Sequence, residues 1–232
     1  KTKTQIKTLT FKTKIKAKPA RLRGVQVEGL LVHLSELFER DPQSAMLAMM
    51  MLCHGTRIGE TRKAQWSHIS LAERTWYLPV GNTKTRVEHS LPLTGQLCAL
   101  LLGYRAKQKV AGYEGQFLFP ARNGKGMSKG QASAVFTGLG KGEWSSHDLR
   151  KLARTGWADL GVDFLIGEML INHAMGHNVQ AYIHTTVEER KRAALELWHG
   201  HLDQKGFVLI HGLKDGRNEN SGKPLEATEH KA

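Results

Sequence analysis

The chain has 232 residues, 40% of them hydrophobic, enough for one large domain with a true core and not a disordered composition. Lysine and arginine outnumber aspartate and glutamate by 34 to 21, and the net charge of +13 points to a polyanionic partner: nucleic acid first, an anionic membrane surface second, although no amphipathic basic helix stands out. Cys53 and Cys98 read as buried reduced thiols rather than a disulfide framework, the apolar run around residues 45–53 is too short to span a bilayer, and no signal-peptide core opens the chain, so a cytoplasmic protein is expected.

Residues 1–24 form a basic arm or interdomain linker, with no acid before Glu28. Leu9, Phe11, Thr13 and Ile15 alternate with Lys12, Lys14 and Lys16, the period-two pattern of a strand with one charged face. A solvated arm and a linker tracking DNA phosphates both fit. Residues 25 to about 40 turn helical, with Leu30, Leu31, Leu34 and Leu37 on one face. Asp41-Pro42 breaks that helix, and Ser44 is expected to cap a second one through Leu52, whose Met49, Met50 and Met51, with Cys53, read as adaptable core. A short helix follows near 58–65. Residues 75–93 are expected to form a hairpin, with Trp76, Leu78 and Val80 leading in, Gly81-Asn82 turning, and Val87, His89 and Leu91 leading out.

Thr94 is placed to cap a long helix to about Val110, and residues 117–120 read as a short buried strand. The Gly- and Lys-rich loop 122–130 precedes a helix to Phe136. Ser146 is expected to cap a helix that Gly161 stops; residues 164–170 form another, and 179–182 a short helical turn. Thr186, with Glu189 as capping-box partner, should open a last amphipathic helix to about His201. Its Leu195, Leu197 and Trp198 make an apolar edge that packs either on its own domain or on a neighbouring protomer. Residues 207–232 are polar and expected to be disordered. The expected architecture is an α+β fold, mostly helical, with a small antiparallel sheet, over residues 25–206.

Cleaving a phosphodiester without a metal requires donors for the charge that gathers on the non-bridging oxygens, an in-line nucleophile, and an acid for the leaving oxygen. Guanidinium groups suit the first task, being always charged and carrying forked donors. Arg57 lies in Gly55-Thr56-Arg57-Ile58-Gly59-Glu60, at a turn entering a helix. His147 and Arg150, three apart on a helix, can face one target. His173 follows an apolar helix, Tyr182 comes nine residues later, and Lys84 sits at or near the hairpin tip. A free tyrosine has a pKa near 10, and a pair of arginines would stabilise its phenolate.

In this order and spacing the segments resemble the catalytic domain of tyrosine recombinases, in particular phage and genomic-island integrases. That family carries an arginine in a Gly-x-Arg-x-x-Glu/Asp segment, a hairpin lysine, a His-x-x-Arg pair, a later His or Trp, and a tyrosine about nine residues beyond it. Gln65-Trp66-Ser67-His68-Ile69, Ser90-Leu91-Pro92-Leu93 and Phe117-Leu118-Phe119-Pro120 are also similar, so the resemblance covers roughly residues 25–202. It implies that Tyr182 forms a 3′-phosphotyrosyl bond and frees a 5′-hydroxyl. Arg57 and Arg150 would clamp the phosphate, and Lys84 would protonate the leaving oxygen. His147 and His173 would hydrogen-bond the phosphate, His147 also helping to take the tyrosine proton. Glu60 would orient Arg57 or His147. Lys84 is chosen over Arg86, two residues along the same side of a strand, on the resemblance alone.

The resemblance further implies double-stranded DNA attachment sites as partner, for integration or excision of a phage or mobile element in a bacterial host, at the nucleoid. It implies four copies on two sites, paired tyrosines acting through a Holliday junction, and an accessory directionality protein. The covalent bond conserves the phosphodiester energy, so no ATP is required; no cofactor and no metal are expected either. Two departures stand out: Ile171-Asn172 replaces the frequent Leu-Gly step, and a basic arm stands where the family usually carries a core-binding domain, so specific site binding is expected to be weak. Three other readings remain open. His173, His177, His184, His199 and His201 have spacings that suit zinc, although no Glu follows His173 as in His-Glu-x-x-His. The others are a catalytically silent DNA-binding relative and a type IB topoisomerase-like enzyme.

Overall fold

A computed structural model describes residues 21–173 and 186–213. The expected turn at 179–182 with Tyr182, residues 1–20 of the basic arm and residues 214–232 lie outside the described residues. In chain order the elements are α1 (Val27–Arg40), α2 (Pro42–His54), α3 (Ile58–Thr61), β1 (Ile69–Ser70), β2 (Thr75–Leu78), β3 (His89–Pro92), α4 (Gly95–Val110), α5 (Lys129–Gly140), α6 (Ser146–Asp159), α7 (Phe164–Leu170), α8 (Val187–Asp203) and α9 (Val208–His211). The mostly helical fold with a small antiparallel sheet is as expected. No described helix is long and apolar enough to cross a membrane.

Helix α2 is the centre of the molecule. Every residue from Ala45 to His54 is buried, because a helix that is apolar on all sides has no face to offer water. Helices α1, α4, α6 and α8 pack around it. Its cap is Asp41, not Ser44: the Asp41 carboxylate accepts the Ser44 N–H at 3.1 Å, and Pro42 occupies the first turn, where no N–H is needed.

The C-terminal carbonyls of α2 would be orphaned without partners. Gly55 closes the helix in the left-handed region (φ 63°), and a Cβ there would come within 2.9 Å of the Trp157 ring. Trp198 Nε1 donates to Leu52 O (3.1 Å), His199 Nε2 bonds Cys53 O (3.1 Å), and Arg150 Nη1 donates to Gly55 O (2.6 Å). Side chains from α6 and α8 therefore fix the direction in which the chain leaves α2 towards Arg57.

The sheet order is β1-β2-β3, with Ile69 opposite Trp76, Trp76 opposite Leu91, and Leu78 opposite His89. Trp76 and Leu78 point into the core while Tyr77 is exposed, the alternation of a strand with one wet face. Strand β1 escaped the sequence pattern because it is only two residues long. The hairpin has no two-residue turn at Gly81-Asn82. A 3-10 turn over Val80–Asn82 opens a longer loop, and the Thr83 hydroxyl bonds the carbonyls of Val80 (3.2 Å) and Val87 (2.7 Å).

Other expectations shift at element ends. The short helix after Arg57 stops at Thr61 rather than Gln65. Residues 117–120 are buried at Leu118 and Phe119 but make only isolated bridges, Gln65 to Phe117 and Pro120 to Gly126. Leu118 O is instead taken by Tyr104 Oη and Gln108 Nε2. Helix α5 runs past Phe136 to Gly140. Ser145, not Ser146, opens α6, and Asp148 accepts from its N–H and hydroxyl at 2.9 and 2.8 Å. The Thr186–Glu189 capping box does not form, since the Thr186 side chain makes no cap bond. Cys53 is buried and Cys98 half-buried, both as free thiols.

The expected boundary at Gly206 falls inside packed structure. Phe207 is fully buried, α9 rests on α1 and α4, and His211 Nε2 meets Asp203 Oδ1 at 2.7 Å. Phe207 and Ile210, three residues apart, are the buried apolar pair of this short turn.

Candidate active site

Arg57 occupies the extended residue before α3. Glu60, one turn on, reaches back: Oε2 accepts the Arg57 backbone N–H and Oε1 pairs with Arg57 Nη1, both at 2.9 Å. Oε1 also faces the Lys84 backbone N–H at 3.4 Å. The Glu60 carboxylate thus holds the arginine side chain and the hairpin loop together. Lys84 itself is exposed, and Arg86 lies in the same loop at φ 55°, so the two are not strand neighbours.

Arg150 is buried on α6. Nη1 donates to Gly55 O, and Nη2 donates to Ile171 O at 2.8 Å. One guanidinium therefore ties the exit of α2 to the exit of α7. Burial and then the like charge of Arg57 lower its pKa to about 10, against the pull of Glu60 and Glu168. His147, one turn earlier, is held below its ordinary pKa by partial burial, then by Lys151, Arg150 and Arg57, against Asp148. Arg57, Glu60, His147 and Arg150 therefore share one electrostatic neighbourhood, with the Lys84 backbone at its edge.

His173 follows the end of α7, two residues past the Ile171 carbonyl that Arg150 holds. Its N–H donates to Glu168 O (3.1 Å) and that of Asn172 to Met169 O (3.0 Å), with Asn172 left-handed at φ 51°. This is the paired-bond helix stop that a glycine usually completes. Asn is the next most tolerant residue in that region, so Ile171-Asn172 keeps the turn that Leu-Gly would make. The same turn brings His173 Nδ1 to Glu168 Oε2 (2.6 Å), while Glu168 Oε1 pairs with Arg154 Nε (2.9 Å). Sequence reading missed Glu168, Arg154 and the Arg150 carbonyl partners. It also missed His89, whose Nε2 bonds Leu170 O at 3.1 Å and ties β3 to α7.

The zinc reading finds no support in the described histidines. Both ring nitrogens of His199 are engaged, by Thr94 Oγ1 (2.6 Å) and Cys53 O, and His201 stacks on Trp198. Among the described residues no group of three His, Cys, Asp or Glu side chains is placed to hold a metal. His177, His184 and Tyr182 lie outside the described residues.

The chain is 27% identical over 189 residues to the prophage integrase IntA of Escherichia coli (strain K12), a match that covers 78% of this chain and 45% of the relative. It therefore spans less than half the length of that curated relative. The fold is similar to that of the integrase from mycobacterium phage Brujita, with a TM-score of 0.56 at 18% identity, covering 82% of this chain and 61% of the other. It is also similar to the Tn1549 transposon integrase in complex with transposon right-end DNA, with a TM-score of 0.57 at 18% identity, covering 78% and 67%. The sequence profile described as the Phage integrase family matches residues 20–189, and the chain belongs to that family.

Proposed function

We propose that this chain cleaves and rejoins double-stranded DNA through a covalent 3′-phosphotyrosyl bond at Tyr182, as the catalytic part of a site-specific recombinase of a phage or other mobile element. The observation that carries the reading is the pair of guanidiniums. Arg150, buried and pinned by two carbonyls, lies in the field of Arg57. Like charges kept close in a partly dry site repel each other, and an anion bound between them turns that repulsion into attraction.

In this mechanism Arg57 and Arg150 donate to the non-bridging oxygens of the scissile phosphate. The Tyr182 oxygen attacks phosphorus in line, and its proton passes to His147. Lys84 protonates the departing 5′ oxygen, and His173 donates to the phosphate. Glu60 keeps Arg57 extended and the Lys84 loop close. A 5′-hydroxyl attacking the phosphotyrosyl bond reverses the step and seals the strand. The DNA partner is in keeping with the Tn1549 relative, whose structure contains transposon DNA. Four copies on two attachment sites, and an accessory protein that sets direction, complete the proposal.

The test is incubation with a nicked suicide substrate, a denaturing gel, and peptide mapping of the DNA-linked residue. A covalent adduct at Tyr182, lost in Tyr182→Phe with DNA binding retained, is the expected result. An adduct at another residue, or none with cognate DNA, overturns the mechanism.

A further inference from the structure

We propose that Glu168 is a positioning residue for strand cleavage: it holds the Nδ1–H of His173 on a fixed carboxylate, so that Nε2 alone faces the scissile phosphate. The inference rests on the cleavage reading above and assigns a new part within it.

The argument begins with the backbone. A helix stop of the kind seen at the end of α7 brings the third residue past the helix over the third from its end. Those positions are His173 and Glu168, and an apolar contact is usual there. Here the contact is an imidazole on a carboxylate at 2.6 Å, set up by left-handed Asn172. The carboxylate cannot turn freely, since Oε1 is committed to Arg154 Nε at 2.9 Å and Oε2 to His173. Arg154 is anchored in turn, with its guanidinium 4.9 Å from the centre of the Phe164 ring and packed against Gly167.

Exposure falls along this chain in the direction a positioning device requires. The His173 side chain is 46% exposed, those of Glu168 and Arg154 about a fifth. The imidazole thus faces solvent, where a DNA phosphate arrives, and its orienting groups lie behind it. An imidazole has two ring nitrogens, and the bond made by one decides what the other presents. With Nδ1–H on Glu168, the phosphate-bound ring carries both protons, and Nε2–H donates to a non-bridging oxygen. The carboxylate supplies the counter-charge. The same ion-pair chain joins α6, which carries Arg150 and His147, to α7, which carries His173 at its end.

A structural ion pair makes a different prediction from a positioning residue, and a double-mutant cycle separates them. Cleavage of the suicide substrate is measured at saturating protein for Glu168→Gln, His173→Ala and the double variant, alongside DNA affinity and melting temperature. Glu168→Gln is expected to slow cleavage roughly 10- to 100-fold, the scale of one lost hydrogen bond to a charged group. DNA affinity should be unchanged, and nothing further should be lost when His173→Ala is already present. Equal losses in both backgrounds, or a loss that follows the melting temperature, overturn the role. Ring-nitrogen NMR of the unsubstituted protein gives an independent reading: His173 should carry its proton on Nδ1, and a bare Nδ1 overturns the proposal even if Glu168→Gln does not fold. If the unsubstituted protein forms no adduct, strand cleavage falls and this role with it. An adduct formed equally fast by Glu168→Gln removes the role alone.

Discussion

Trp198 of α8 lies so close over Gly156 of α6 that an added Cβ at position 156 would overlap its ring. The indole is buried, and its Nε1 donates to Leu52 O at the end of α2. The apolar edge of α8 therefore serves its own domain: Leu195 and Trp198 face inward, and only Leu197 is exposed. Trp198→Ala should cost about 3–5 kcal/mol, the range for deleting a buried large aromatic. Gly156→Ala should cost about 1–3 kcal/mol through overpacking. Denaturant unfolding of both variants, beside DNA-binding and recombination assays, checks this. Stability, binding and recombination should fall together. Normal stability and binding with recombination lost would restore docking of this edge on a neighbouring protomer.

That outcome shows what the sequence could and could not reveal. Arg57 with Glu60, and His147 with Arg150, were legible because each pair is local: Glu60 comes three residues after the residue that opens α3, and His147 and Arg150 share one face of α6. The buried α2 was legible from its unbroken apolar run. The direction of α8 was ambiguous because an apolar edge does not say what covers it. Caps were displaced by one to three residues where two capping side chains compete, as with Asp41 and Ser44 or Ser145 and Ser146. Glu168 was invisible because its contact with His173 depends on one left-handed residue between them. The carbonyls that hold Arg150 lie 95 and 21 residues away in sequence, and carbonyls carry no side-chain signature.

Arg150→Lys tests the clamp. A lysine ammonium is a compact charge without a planar fork. It cannot reproduce bonds to Gly55 O and Ile171 O while also donating to a phosphate. Cleavage should fall by about 100-fold or more, and stability by about 1–3 kcal/mol as a buried carbonyl loses its donor. Suicide-substrate cleavage and chemical denaturation measure the two effects. A variant that cleaves like the original would remove Arg150 from the phosphate site.

The core histidines predict sensitivity to acid. Burial pushes His54 down to about 4. His199 is lowered to about 3, by burial and then by His54, and His89 to about 3, by burial and then by Lys191. In the unfolded chain such groups titrate near 6.5. Below that pH the unfolded state binds protons that the folded state refuses, so stability is full above about pH 6.5 and falls as pH drops towards the folded values. Asp148 and Glu168 act in the same direction at lower pH. Burial raises both, but hydrogen bonds from Arg21 and Ser145 outweigh it at Asp148, as do those from Arg154 and His173 at Glu168. Melting temperature should therefore drop steadily between pH 6.5 and 4. Equal melting temperatures at pH 7.5 and 4.5 would show that these rings are not held neutral.

Asn172 offers the sharpest separation of backbone from side chain. Its left-handed conformation ends α7 and aims His173, and its side-chain nitrogen Nδ2 has no hydrogen-bond partner among the described residues. Glycine adopts this conformation without strain, so Asn172→Gly should keep or slightly raise stability and preserve cleavage. A β-branched residue is poorly tolerated there, and Asn172→Val should cost about 1–2 kcal/mol. If the chain relieves that strain by leaving the left-handed region, His173 loses both its backbone bond to Glu168 O and its carboxylate partner. Asn172→Val should then lose cleavage well beyond what its stability loss explains, with DNA affinity little changed, since the arginine clamp is intact. Melting curves and single-turnover cleavage of the two variants decide the matter. If Asn172→Gly were as damaged in cleavage as Asn172→Val, the amide side chain rather than the turn would be the part that matters at this position.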